Sequence, residues 1–90
     1  MKKACAIQIT GKVQGVFFRA STKDKADELG VKGYVRNERD GSVYVEAEAE
    51  EYVLKQFIDW CKQGPPRASV DSCTVTELGV QGFSSFEIRR

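Results

Sequence analysis

Residues 31–47 read VKGYVRNERDGSVYVEA. Val31, Gly33 and Val35 alternate with Lys32, Tyr34 and Arg36, while Val43, Val45 and Ala47 alternate with Tyr44 and Glu46. Period-2 patterns of this kind mark half-buried strands, and Asp40-Gly41 between them is a strong hairpin signal. The stretch predicts two strands, 31–37 and another from 43, with Asp40 serving only the turn. Asn37 falls on the same face as Val35, at the carboxyl end of the first arm. A helix is predicted on each side of this hairpin. Before it, Phe18, Thr22, Ala26 and Leu29 form one stripe of a helix over 19–29, with Lys23, Asp24, Asp27 and Glu28 facing water and Gly30 at the C-cap. After it, Leu54, Phe57, Ile58 and Cys61 form the stripe of a helix over 50–62. Glu50 and Glu51 fall in its first turn, where the dipole favours them, and Gly64-Pro65-Pro66 ends it.

Further out, residues 3–10 place Cys5, Ile7 and Ile9 on one face of a strand, 70–78 reads as another, and 83–88 as a shorter last one. The order strand, helix, strand, strand, helix, strand is the split βαβ arrangement of ferredoxin-like folds. The expected architecture is α+β, a single domain over 1–90: two helices on one face of an antiparallel-dominated sheet of four to five strands. The opposite face stays partly open to water. Tyr34 and Tyr44 are expected to pack on that open face, Glu46 and Glu48 to be solvated there, and Trp60 to belong to the second helix.

Composition narrows the function classes. With 41% hydrophobic and 30% charged residues the chain has the make-up of a soluble globular protein. No apolar run approaches the roughly 18 residues of a spanning helix, and MKKACAIQITG is too short and polar for a signal peptide. The expectation is a cytoplasmic protein with no membrane partner, acting as a monomer. A net charge of +1, with Lys and Arg interleaved among Asp and Glu, argues against nucleic acid. No strand carries the RNP1 pattern of RNA-binding sheets. There is no histidine, so the commonest general base and metal ligand is missing. Cys5, Cys61 and Cys73 have no metal-ligand spacing and are expected to be buried free thiols, though a Cys5–Cys73 bridge stays open if their strands are neighbours.

Residues 11–19, GKVQGVFFR, link the first strand to the first helix. Two adjacent phenylalanines are costly in a loop unless they pack. The glycines allow backbone N–H groups to converge, and Arg19 adds a fork of donors. The amides of Gln14, Gly15, Val16, Phe17, Phe18 and Arg19 could wrap one anion at the helix start. Equally, Gly11 and Gly15 could simply turn the chain, with Arg19 solvated and Asn37 capping its own turn. The loop lacks the Lys-Ser/Thr of nucleotide-binding phosphate loops. In a βαβ unit the first two strands run parallel and end at one sheet edge, so Asn37 should lie near the 11–19 loop, where ligands of such sheets tend to bind.

The loop sequence GKVQGVFFR resembles the first signature of the acylphosphatases, and GYVRNERDGSV at 33–43 resembles their second. The resemblance runs over essentially the whole chain, including the ending FEIRR. One departure is Ala49, where the family pattern has glycine. The resemblance implies hydrolysis of the carboxyl-phosphate bond of small acyl phosphates, without metal or other cofactor. It implies that Arg19 and the backbone amides of 14–19 bind the phosphate and that Asn37 holds the attacking water. A phosphate- or carboxylate-binding module without turnover is the alternative on the same fold.

Overall fold

The computed structural model describes residues 1–90. Its elements are β1 (Lys2–Lys12), α1 (Phe18–Leu29), β2 (Lys32–Asn37), β3 (Val43–Glu50), α2 (Glu51–Gln63), β4 (Ser69–Leu78) and β5 (Phe86–Arg89). They form a five-stranded sheet in the order β4-β1-β3-β2-β5, covered on one face by both helices. The pairs β1–β3, β1–β4 and β2–β3 are antiparallel and β2–β5 is parallel. Because β3 lies between β1 and β2 and opposes both, β1 and β2 share one direction. Their carboxyl ends, and that of β5, therefore reach the same sheet edge.

The alternations set the burial. Cys5, Ile7, Ile9, Val35, Val43, Val45 and Ala47 face the helices and join Val31, Leu54, Phe57, Cys61 and Phe86 in one core. Phe18, Thr22 and Ala26 are the buried stripe of α1, and Gly30 takes the left-handed C-cap conformation (φ 79°). Ala49 is buried in β3 opposite Lys3, far from the loop, and its backbone has no left-handed φ. Cys5 pairs with Glu77 and Ile9 with Cys73, so the two cysteines are offset by four residues along adjacent strands. That is roughly 13 Å at ~3.4 Å per residue, beyond the reach of a disulfide. All three thiols are free, with Cys5 and Cys61 buried but Cys73 only half-buried. Burial, with Cys73 nearby, pushes the Cys5 thiol up to about 11.

The outer face departs from expectation at Glu46 and Glu48. Neither is freely solvated: Glu46 is half-buried and Glu48 fully buried. Glu48 is 1% exposed, and its carboxylate accepts the backbone N–H groups of Gln81, Gly82 and Phe83. Glu46 Oε2 accepts both tyrosine hydroxyls, Tyr34 at 2.9 Å and Tyr44 at 2.8 Å, while Oε1 accepts from Gln81 Nε2. The segment after β4 thus straps over the sheet, with Phe83 edge-on to Tyr34. A carboxylate is an acceptor-only group, and convergent N–H donors replace its hydration. Partial burial opposes ionisation of Glu46, but hydrogen bonds from Tyr44, Tyr34 and Gln81 outweigh it and hold the carboxyl below its ordinary range. Its folded value is depressed, so the stability it contributes is present above about pH 4.5 and lost as pH falls through the lowered value. Glu48→Gln swaps an acceptor oxygen for a donor against three N–H groups. It should destabilise the fold by about 1.5–3 kcal/mol in urea unfolding at pH 7, more than Glu46→Gln, whose amide oxygen can still take the hydroxyls.

Candidate active site

The loop between β1 and α1 owes its shape to two residues in left-handed conformation. Gly15 has φ 74° and Phe17 φ 63°, and no other non-glycine residue of the chain has a positive φ. Val16 and the helical Phe18 therefore have negative φ, so the sign alternates over four successive residues. Alternation of this kind turns consecutive N–H groups towards one point, the geometry of an anion nest. α1 begins at Phe18, one residue earlier than the sequence pattern suggested, and no side chain caps it. The one backbone hydrogen bond outside regular elements that involves this loop runs from Ser21 N–H to the Phe17 carbonyl. The amides of residues 14–20 thus donate to no group of the chain.

The two phenylalanines have opposite fates. Phe18 is 2% exposed and meets the Trp60 ring edge-on at 5.8 Å. It packs on Gly64 at the end of α2, where a Cβ would come within 2.6 Å of the ring. Phe17 is 69% exposed, with the Arg67 guanidinium 6.0 Å from its ring centroid.

A cleft of about 570 Å³ opens at the edge where β1, β2 and β5 end. Gly15, Arg19 and Asn37 line it, together with Val13, Phe17, Phe18, Ala20, Ile88 and Arg90. The structure thus brings Arg19 and Asn37 together across 18 residues of sequence, as the topology requires. Arg19 Nη1 reaches only the Arg89 carbonyl, at a long 3.5 Å, which leaves its other donors free. Asn37 does not serve its own turn. Asp40 does, accepting from the Ser42 amide at 2.9 Å and from its hydroxyl; the hydroxyl bond first, then the amide bond, holds the Asp40 carboxyl below its usual range. No acidic side chain lines the cleft, and nowhere in the chain do three His, Cys, Asp or Glu side chains converge as a metal cluster.

Two features escaped the sequence. Gln14 contributes its side chain as well as its amide: Nε2 donates to the Glu38 carbonyl at 2.7 Å and to the Ser42 carbonyl at 2.9 Å. Both hydrogens of one amide nitrogen thereby tie the loop to the turn that follows Asn37. Only the three-dimensional approach of the loop to the hairpin could show this. Ile88 and Arg90 enter through the parallel β2–β5 pairing, which no local pattern encodes.

The comparisons agree with this geometry. Residues 5–88 match the acylphosphatase family model. The chain is a member of the acylphosphatase family. It is 51% identical over 79 residues to an acylphosphatase of Marinobacter nauticus, covering 87% of this chain and 86% of that one. Among solved structures, the acylphosphatase of Bacillus subtilis superposes with a TM-score of 0.95 at 35% identity over the full length of both chains. That of Coxiella burnetii gives 0.94 at 36% identity, covering 98% of this chain and 93% of that one. The relatives carry the family assignment; the roles of single residues rest on the geometry. Gln14→Ala removes both of these hydrogen bonds, but the Glu38 carbonyl keeps the Gly41 N–H and the Ser42 carbonyl keeps the Glu38 N–H, so a loss of only about 0.5–1.5 kcal/mol per bond is expected in urea unfolding.

Proposed function

We propose that this chain hydrolyses acyl phosphates with no metal ion, using the amides of residues 14–19 and Arg19 to hold the phosphate and Asn37 to hold the attacking water. The observation that carries the reading is the nest of alternating φ at residues 15–18, whose amides have no partner within the chain, opening on the cleft shared by Arg19 and Asn37. N–H groups at a helix start favour an anion, and a guanidinium can pair with two of its oxygens. The Asn37 carboxamide oxygen accepts a hydrogen bond from the water and so aims the water's lone pair at phosphorus.

The step balances simply. The water oxygen bonds to phosphorus as the bond from phosphorus to the acyl oxygen breaks, giving a carboxylate and dihydrogen phosphate. The leaving carboxylate is stable without a proton, so no general acid is needed. Phosphoryl transfer runs through a loose transition state in which positioning and charge stabilisation supply most of the acceleration. A chain with no histidine, and a cleft with no acidic side chain, suit that chemistry. The same set suits phosphomonoesters badly, because an alkoxide leaving group needs an acid or a metal. The reading includes action of residues 1–90 as one monomeric unit in the cytoplasm. No helix of the chain is long and apolar enough to cross a membrane.

Hydrolysis of a chromophoric acyl phosphate in the presence of chelator tests the proposal. Wild type should turn over without added metal and show little activity on sugar phosphates. Arg19→Ala should lower kcat/KM by about 10²–10³-fold, the usual cost of one preorganised donor. Asn37→Ala should lower kcat while inorganic phosphate still competes for the cleft. Phosphate binding with no turnover by folded wild type would make the protein a binding module and remove the role of Asn37.

A further inference from the structure

The cleft is larger than the phosphate it is proposed to hold. A phosphate group displaces roughly the volume of two or three waters, at ~30 Å³ each, against the cleft's 570 Å³. The remaining space belongs to the acyl group. Its walls include two of the most exposed large apolar side chains of the protein, Phe17 at 69% and Ile88 at 42%. Beside them stands a second guanidinium, that of Arg90.

Strand register places Arg90. In the parallel β2–β5 pair, Val35 matches Ile88 and Arg36 matches Arg89. The ladder ends there, and Arg90, one residue past β5, lines the same cleft as Asn37 at the end of β2. Side chains alternate between faces along a strand. Ile88 therefore points to the helix side with Val35, and Arg90, just beyond the strand, lines the cleft with Ile88 and Asn37. Arg89 points to the outer face, where its guanidinium lies 4.0 Å from the Tyr34 ring centroid. Arg90 forms none of the chain's ion pairs and none of its side-chain hydrogen bonds, whereas Arg89 pairs with Glu87 and Arg36 with Glu38. A cleft lined by two arginines outside any ion pair, and by no acidic side chain, can hold two anionic groups.

We infer that Arg90 is a specificity residue for acyl phosphates whose acyl group bears a carboxylate of its own, the methylenes between the two anions lying on Phe17 and Ile88. This rests on the function proposed above and names the class of substrate that the same cleft prefers. The phosphate goes to the nest and Arg19, and the distal carboxylate goes to Arg90.

Two substrates of equal length test it: butyryl phosphate and succinyl phosphate, which differ by a terminal carboxylate. The quantity to measure is the ratio of their kcat/KM values, succinyl over butyryl. The ratio should exceed one in wild type and fall roughly tenfold in Arg90→Ala, as for loss of a charge-assisted hydrogen bond. Arg90→Lys should recover part of it. Arg67→Ala removes a guanidinium near Phe17 that does not line the cleft and should leave the ratio as in wild type. An equal ratio in wild type and Arg90→Ala overturns the assignment, as does a fall confined to Arg67→Ala. Calorimetry with the two matching acylphosphonates, which cannot be hydrolysed, separates the two levels of the proposal. An Arg90-dependent preference in binding with no turnover of either phosphate would sink the hydrolytic reading and keep the subsite. Turnover with no preference would do the reverse.

Discussion

The site depends on the burial of one ring. Phe18 is the first residue of α1, and its side chain is held between Trp60 and the backbone of Gly64, both contributed by α2. With that residue fixed, the helix cannot slide along its axis, and the amides of its open first turn keep their positions. The neighbouring Phe17 is forced into a left-handed conformation that costs an L-residue about 1–2 kcal/mol. Full burial of a phenylalanine side chain contributes about 1.5–3 kcal/mol. Anchoring at 18 thus offsets strain at 17, and the strain is what turns the amides inward.

Around this anchor the sheet topology does the assembling. By lying between β1 and β2, β3 makes both end at one edge, and the parallel β5 adds a third carboxyl end there. Gln14 then closes the gap between loop and hairpin with two hydrogen bonds from one nitrogen. Most of the donors gathered at that edge are backbone groups. What the sequence must supply is mainly conformation: a glycine at 15, a buried ring at 18 and a long amide at 14.

The elements were legible in the sequence because each depends on short-range periodicity. Asp40-Gly41 gave the hairpin, the stripe Leu54, Phe57 and Cys61 gave α2, and Gly30 marked the end of α1. The convergence of Arg19 and Asn37 followed from the parallel direction of the first two strands of a βαβ unit, which the order of elements already implies. Long-range pairing was not legible. Alternation put Glu46 and Glu48 on the outer face, yet it could not reveal that Gln81, Gly82 and Phe83 return to cover them. The same limit hid Arg90, whose place is set by the register of β5 on β2. A free-standing motif such as GKVQGVFFR reports the residues of a site, but the partner strands decide what else faces them.

The make-up of the cleft has a consequence for its response to acidity. Its lining consists of Val, Gly, Phe, Ala, Ile, Asn and Arg side chains together with backbone amides. Amides and carboxamides carry no titrating proton. None of the side chains that line the cleft is a carboxyl, an imidazole, a thiol or a phenol. Whatever rate profile such a cleft shows across neutrality belongs to the substrate, whose phosphate gains or loses its last proton there.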